Sequence, residues 1–235
     1  MDFAEGQVLL FNKPYGWTSF DLVKAVKRIT KFSKIGHAGT LDPLASGLMI
    51  LCTGKKTKMI SEFQEGVKVY TGQAVFGKTT PSYDRETYPN QTFPTDHIDL
   101  KLLQQKALLL SGEISQQPPA YSALKIDGQR SFELARKGKE VSLKERKVMV
   151  HRFEIDDYRN ETATFSIECS KGTYVRSLIN DLGKLAESGA YLHDLKREKI
   201  GSFQISDAWE IKDFIKSLNS DYEVREHNYK IRPVF

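Results

Sequence analysis

Apolar and polar positions along this 235-residue chain alternate, cluster and repeat in ways that mark out its elements. Val8-Leu9-Leu10-Phe11 is a short continuous apolar run, as in a buried first strand, and Asn12-Lys13-Pro14-Tyr15-Gly16 ends it in a turn. Thr18 and Ser19 stand ahead of Asp21 and of apolar residues at Phe20, Val23, Val26 and Ile29, which predicts an amphipathic helix with an N-cap. A glycine-rich loop follows and turns into the apolar run Leu48-Met49-Ile50-Leu51-Cys52, a second buried strand. Val67, Val69, Thr71 and Gln73 alternate with Lys68, Tyr70, Gly72 and Ala74, so a strand is predicted there with Tyr70 on one face. Residues 77–97 hold three prolines and predict no element. Leucines at 100, 103 and 110 predict a helix from Asp99 to Leu110, stopped by Ser111-Gly112. Strands are predicted at Val148–Phe153 and Thr162–Cys169, a helix from about Ser177 to Glu187, a short strand at Ser202–Ile205 and a last helix near Ile211–Leu218. Helices fall irregularly among antiparallel-looking strands, which favours an α+β fold over a doubly wound α/β sheet.

Composition narrows the class. Forty per cent hydrophobic and 28% charged residues describe an ordinary globular protein. No run approaches the roughly 18 apolar residues of a membrane span, and the acidic start Met1-Asp2-Phe3-Ala4-Glu5-Gly6 is unlike a signal sequence. A cytoplasmic location, with no membrane partner, is therefore expected. Cys52 and Cys169 each sit in an apolar, strand-like run and read as buried thiols. The five histidines lack metal-ligand spacing, so no metal is expected. The net charge of +5 is modest, but its distribution is uneven. Residues 1–80 hold eleven Lys/Arg against six Asp/Glu, and residues 121–147 hold eight against four. The second cluster lies in a basic, loop-rich stretch with a helical segment at Phe132–Lys137, read as an insertion spanning about 112–147.

The chemistry converges on one loop. Between Ser33 and Leu48 the chain places Gly36, His37, Gly39, Asp42, Pro43 and Gly47. Pro43 pushes Asp42 away from the α region, and the glycines permit tight paths around it. A second candidate is Lys171-Gly172-Thr173-Tyr174-Val175-Arg176, between two apolar segments, where Arg176 is expected to bury its stem and find a carboxylate. Tyr70 is the third. Gly54-Lys55-Lys56-Thr57 is not a P-loop, because Met49 stands where that motif needs glycine. No dinucleotide-binding GxGxxG follows a strand, no second carboxylate lies near Asp42 before Glu62, and no nucleophile elbow is present.

Gly36-His37-Ala38-Gly39-Thr40-Leu41-Asp42-Pro43-Leu44-Ala45-Ser46-Gly47 resembles the signature of the TruB family of pseudouridine synthases. Asn12-Lys13-Pro14, Lys58, Lys68-Val69-Tyr70, Gln117-Pro118-Pro119-Ala120-Tyr121-Ser122-Ala123-Leu124-Lys125 and Cys169-Ser170-Lys171-Gly172-Thr173-Tyr174-Val175-Arg176 resemble further family motifs, in family order, over residues 8–205. The resemblance implies a pseudouridine synthase fold: a mixed, mostly antiparallel sheet flanked by helices, with the insertion as a basic, thumb-like RNA grip. It implies isomerisation of uridine to pseudouridine in tRNA, at uridine 55 of the T-loop, by a base flipped into a pocket. Asp42 would attack C1′ of the sugar or C6 of the base, with Arg176 paired to it and Tyr70 stacked on the ring or taking the C5 proton. His37 would fill the vacated space, Tyr174 and Leu195 would complete the pocket walls, and Lys13 and Lys58 would meet phosphates. Substrate and product are isomers, so no cofactor is expected.

The expectation is thus a single catalytic domain over 1–235, acting as a monomer on the tRNA T-arm. Only about thirty residues follow Ile205, too few for a C-terminal PUA-type domain, and no role is read for residues 221–235. Two rival readings remain: the same chemistry on another RNA, or a non-catalytic tRNA-folding factor.

Overall fold

The computed structural model describes residues 2–218 and 233–234. Its elements, in chain order, are β1 (Val8–Lys13), α1 (Ser19–Thr30), β2 (Ile35–His37), β3 (Ala45–Thr53), α2 (Ile60–Glu65) and β4 (Lys68–Phe76). The two-residue strands β5 (Lys78–Thr79) and β6 (Gln91–Thr92) follow, then α3 (Leu100–Leu108) and β7 (Gly112–Gln116). Next come β8 (Lys125–Ile126), β9 (Gln129–Arg130), α4 (Ser131–Arg136), β10 (Arg146–Arg159) and β11 (Thr162–Cys169). The last are α5 (Val175–Leu185), β12 (Ala190–Ile200), β13 (Phe203–Gln204) and α6 (Ile211–Ser217). The α+β reading holds: β1–β3, β2–β3, β7–β10, β10–β11 and β12–β13 pair antiparallel, while β12 pairs β3 in parallel.

Where one domain is expected, backbone contacts divide the chain into two compact units. Among the described residues the first holds 2–71 and 195–218, the second 72–194 and 233–234.

In the first unit β3 is central and buried at eight of its nine positions, as its unbroken apolar run requires. One edge takes β1, with Phe11 opposite Met49, and β2 pairs at its far end, with His37 opposite Leu51. β12 joins at its near end, with Leu195 opposite Ala45 and Arg197 opposite Gly47. Ala38, Leu48, Ile50, Cys52 and Ile200 form a core beneath the strand, and Phe11 packs edge-on against Phe214 with centroids 4.9 Å apart. The helix predicted after the first turn is α1, started by Thr18: its hydroxyl accepts from the Asp21 N–H, and Asp21 accepts from the Thr18 N–H. Its buried face is Ser19, Leu22, Val23, Ala25, Val26 and Ile29. Phe20, expected on that face, is 61% exposed.

In the second unit β10 lies between β7 and β11, with α3 packed on it. Two register shifts, at Val150/Arg152 and Ile155/Asp157, interrupt its alternation, so the sequence pattern shows only half of this 14-residue strand. The insertion expected from 112 begins inside the sheet, because Gly112–Gln116 is the strand β7. The whole of β12 escaped the sequence pattern: Tyr191 and Leu192 are adjacent and Leu195 comes three residues later, so no period of two marks the strand. The expectation for residues 221–235 falls almost wholly outside the described residues.

Candidate active site

Asp42 lies three residues ahead of β3, half-buried, and its backbone is held from both sides. The buried Ser19 hydroxyl donates to the Leu41 carbonyl (3.0 Å) and accepts from the Leu41 N–H (2.9 Å). The Gly16 N–H donates to the Pro43 carbonyl at 2.8 Å, and the Ala45 N–H to the Asp42 carbonyl at 3.1 Å. The residues before, at and after the aspartate are thus all tied down, Leu41 by the first residue of α1 and Pro43 by the turn between β1 and α1. A carboxylate placed this way loses little rotational freedom when a substrate arrives.

That turn is in turn held by Lys13. Its side chain is fully buried, and its Nζ donates to the carbonyls of Pro14 (2.9 Å) and Trp17 (2.6 Å). Burial lowers its pKa from 10.5 to about 7; Asp42 opposes this fall and Arg197 adds to it. The expectation that Lys13 meets RNA phosphate therefore gives way to a structural role, since a fully buried ammonium engaged with two carbonyls presents no surface to an anion.

Arg197 is a functional candidate that the sequence reading missed. It is 2% exposed, and its Nε donates to the Leu48 carbonyl at 2.7 Å while Nη2 lies 3.5 Å from the Gly39 carbonyl. β2 leaves β3 at Ala38 and β12 ends its pairing at Gly47, so the guanidinium serves a stretch of β3 that neither strand covers. It links the two ends of the Asp42 loop. His37, at the end of β2, has its pKa lowered by burial, with the Gly39 carbonyl opposing and Arg197 adding to the shift, which favours the neutral ring. Leu195, beside Ala45, and Tyr70, on β4, are buried in this same unit; Lys58 is exposed on the 3₁₀ turn Gly54–Met59.

The second unit carries Tyr174 and Arg176. Gln116 fixes the Tyr174 backbone as Ser19 fixes Leu41: its Oε1 accepts from the Tyr174 N–H (2.8 Å) and its Nε2 donates to the Tyr174 carbonyl (3.2 Å). Arg176, buried in the first turn of α5, donates to the carbonyls of Ser82 (3.1 Å) and Tyr121 (2.9 Å) and lies 3.6 Å from the buried carboxylate of Asp84. The motif from Gln116 to Tyr121 thus frames the arginine, in addition to opening the basic insertion. Asp84 was missed because it lies in a stretch with no periodicity; its only sequence signal is its acidity among turn residues.

Residues 27–175 match the profile of the TruB family pseudouridylate synthase (N terminal domain). The chain belongs to the TruB family. Members of this family are isomerases, and the matched span takes in the loop around Asp42. Among curated relatives, a tRNA pseudouridine synthase B of Flavobacterium johnsoniae is 48% identical over 224 residues, covering 92% of this chain and 98% of that protein. The protein of the same name from Bacteroides thetaiotaomicron is 46% identical, covering 91% and 93%. Among solved structures, the crystal structure of a Cbf5-Nop10-Gar1 complex matches with a TM-score of 0.71 and 25% identity, covering 91% of this TruB-family chain. The chain spans about half of that structure's matching chain, 54%.

Proposed function

We propose that this chain isomerises uridine to pseudouridine in tRNA, at uridine 55 of the T-loop, with Asp42 as the nucleophile. The two relatives of near-complete coverage, both named for tRNA, support the substrate class. The observation that carries the role of Asp42 is the two-sided clamp: Ser19 on Leu41 and Gly16 on Pro43 hold the one carboxylate of the family signature. The flipped base stacks on Tyr70, with Leu195 and Tyr174 as walls and neutral His37 filling the space left in the RNA. Asp42 attacks at C1′ or C6, the N1–C1′ bond breaks, the base turns, and C5 bonds to C1′. The proton lost from C5, with Tyr70 as candidate acceptor, is balanced by one taken up at N1. Arg176, framed by the second unit, serves the same reaction. Lys58 and the basic stretch 117–147 meet phosphates, where affinity is salt-dependent.

The test is incubation of the pure protein with an unmodified tRNA transcript, without metal or cofactor, followed by mapping of pseudouridine. Product at position 55 is expected, with Asp42→Asn binding the transcript and forming none. Product at another position would replace the T-loop assignment, and a wild-type protein that binds but never converts would leave only the RNA-folding reading.

A further inference from the structure

We infer that the exposed face of α1 is an RNA track leading away from the Asp42 loop, with Phe20 as a base-stacking platform and Lys24, Arg28 and Lys31 as phosphate contacts. The inference rests on the tRNA reading above and extends it to a surface outside the pocket.

Four observations carry it. The first is Phe20: the sequence pattern places it in the core, yet it is 61% exposed, and the exposed Tyr15 precedes it in the turn. An apolar ring left in solvent, with the Lys24 ammonium 4.6 Å from its centroid, is the pairing of aromatic and cation that single-stranded nucleic acid uses. The second is the sign of the face. Lys24, Arg28 and Lys31 are exposed, Lys27 is partly exposed and Lys34 follows just beyond; among the described residues none of the five takes part in an ion pair. The one carboxylate of the helix, Asp21, is bound into the capping box. The third is spacing. Phe20, Lys24 and Arg28 recur every four residues, so they stand on one face about 6 Å apart along the axis. The fourth is continuity: Ser19 and Gly16, which bracket the start of α1, bond directly to the Asp42 loop.

Two ordinary accounts fall short. The helix dipole favours cations at the C-terminal end, which covers Lys27, Arg28 and Lys31 but not Lys24 in the second turn or Phe20 before it. An ordinary solvated face mixes both signs. A membrane surface is the competing partner for a basic helix, but such a helix inserts its apolar side, and that side of α1 is buried in the core.

The test uses the full chain and an unmodified tRNA transcript, with Kd measured at several KCl concentrations. The triple variant K24Q/R28Q/K31Q is expected to melt like the parent and to lower the slope of log Kd against log salt by about two units or more, at roughly 0.7 to 0.9 per phosphate contact. The single variant Lys24→Gln is the fallback if the triple is unstable, with a loss of about 0.7 to 0.9. Phe20→Ala is expected to weaken binding at fixed salt at least about fivefold with the slope kept. Slopes matching the parent within about half a unit would overturn the track, as would an unchanged affinity of Phe20→Ala for the stacking platform. A parent that prefers phosphatidylglycerol vesicles to tRNA, with the loss in the triple variant confined to vesicles, would assign the face to a membrane and overturn it too. Pseudouridine formation by the parent on the same transcript separates the two readings. An active parent with unchanged slopes sinks only the track; an inactive parent sinks the proposed function.

Discussion

At the scale of single residues, the same device appears twice: a buried polar side chain bonds both backbone groups of a residue at, or next to, a proposed site position. Ser19 does so for Leu41, and Gln116 does so for Tyr174. Removing such a group leaves a buried N–H and C=O without partners, at a cost of roughly 1–3 kcal/mol. Ser19→Ala is therefore expected to lower stability by that amount and also to lower single-turnover rate at least tenfold while tRNA affinity stays at the parent level. Rate loss without affinity loss marks Ser19 as a positioning residue for Asp42; a fall in melting temperature with an unchanged rate on folded protein would make it merely structural. Arg176 is the second case. Lysine has no planar fork with which to reach both the Ser82 and Tyr121 carbonyls. Arg176→Lys should thus depress turnover far more than binding, and near-normal turnover would remove the arginine from the reaction. Asp84→Asn uncouples a buried ion pair, for which a loss of about 3 kcal/mol in urea unfolding is expected.

At the scale of elements, the parallel pairing of β12 with β3 is what the Asp42 loop is built on. Gly47 sits at that pairing with φ of +109°, and a Cβ there would overlap the backbone N and O of Arg197. Gly47→Ala must therefore shift β12 as well as strain its own backbone. Gly112, with φ of +88° and open space around it, separates the two effects. Gly112→Ala is expected to cost about 1–2 kcal/mol of backbone strain alone, and Gly47→Ala at least about 2 kcal/mol more by denaturant unfolding. Equal losses would show that β12 is free to move aside. These elements also show what the sequence made legible. α1, β3, β11 and α6 obey local rules of capping, apolar runs and alternation, and all four were readable. β12 was not, because its pattern is set by partners on two sides rather than by its own neighbours, and with it went Arg197. Phe20 shows the converse: its helical spacing fits the core, but the helix turns that position outward.

At the scale of the whole molecule, the motifs around Asp42, Tyr70 and Arg176 were legible because their residue types and order are distinctive. Their supports were not, because Ser19, Arg197, Asp84 and Gln116 act through distances of 22 to 158 residues along the chain, where no local pattern reports. Lys13 was legible as important and misread in role: a lysine beside a turn suggests a surface contact, yet this one is fully buried. That burial has a consequence for the stability of the entire fold. The folded-state pKa of Lys13 is lowered by burial to about 7, against 10.5 for the ordinary side chain. Between those values the unfolded chain holds a proton that the native chain has lost, so stability rises with pH through the window. Below pH 7 both states are protonated and the full cost of the buried charge is present. The slope of unfolding free energy against pH between about 7.5 and 9.5 should therefore be steeper in the parent than in Lys13→Met, by up to about 1.4 kcal/mol per pH unit. Comparing slopes removes the variant's own change in stability, and urea titrations at four or five pH values suffice. Parallel slopes would mean that the two carbonyls and Asp42 keep the ammonium charged despite its burial.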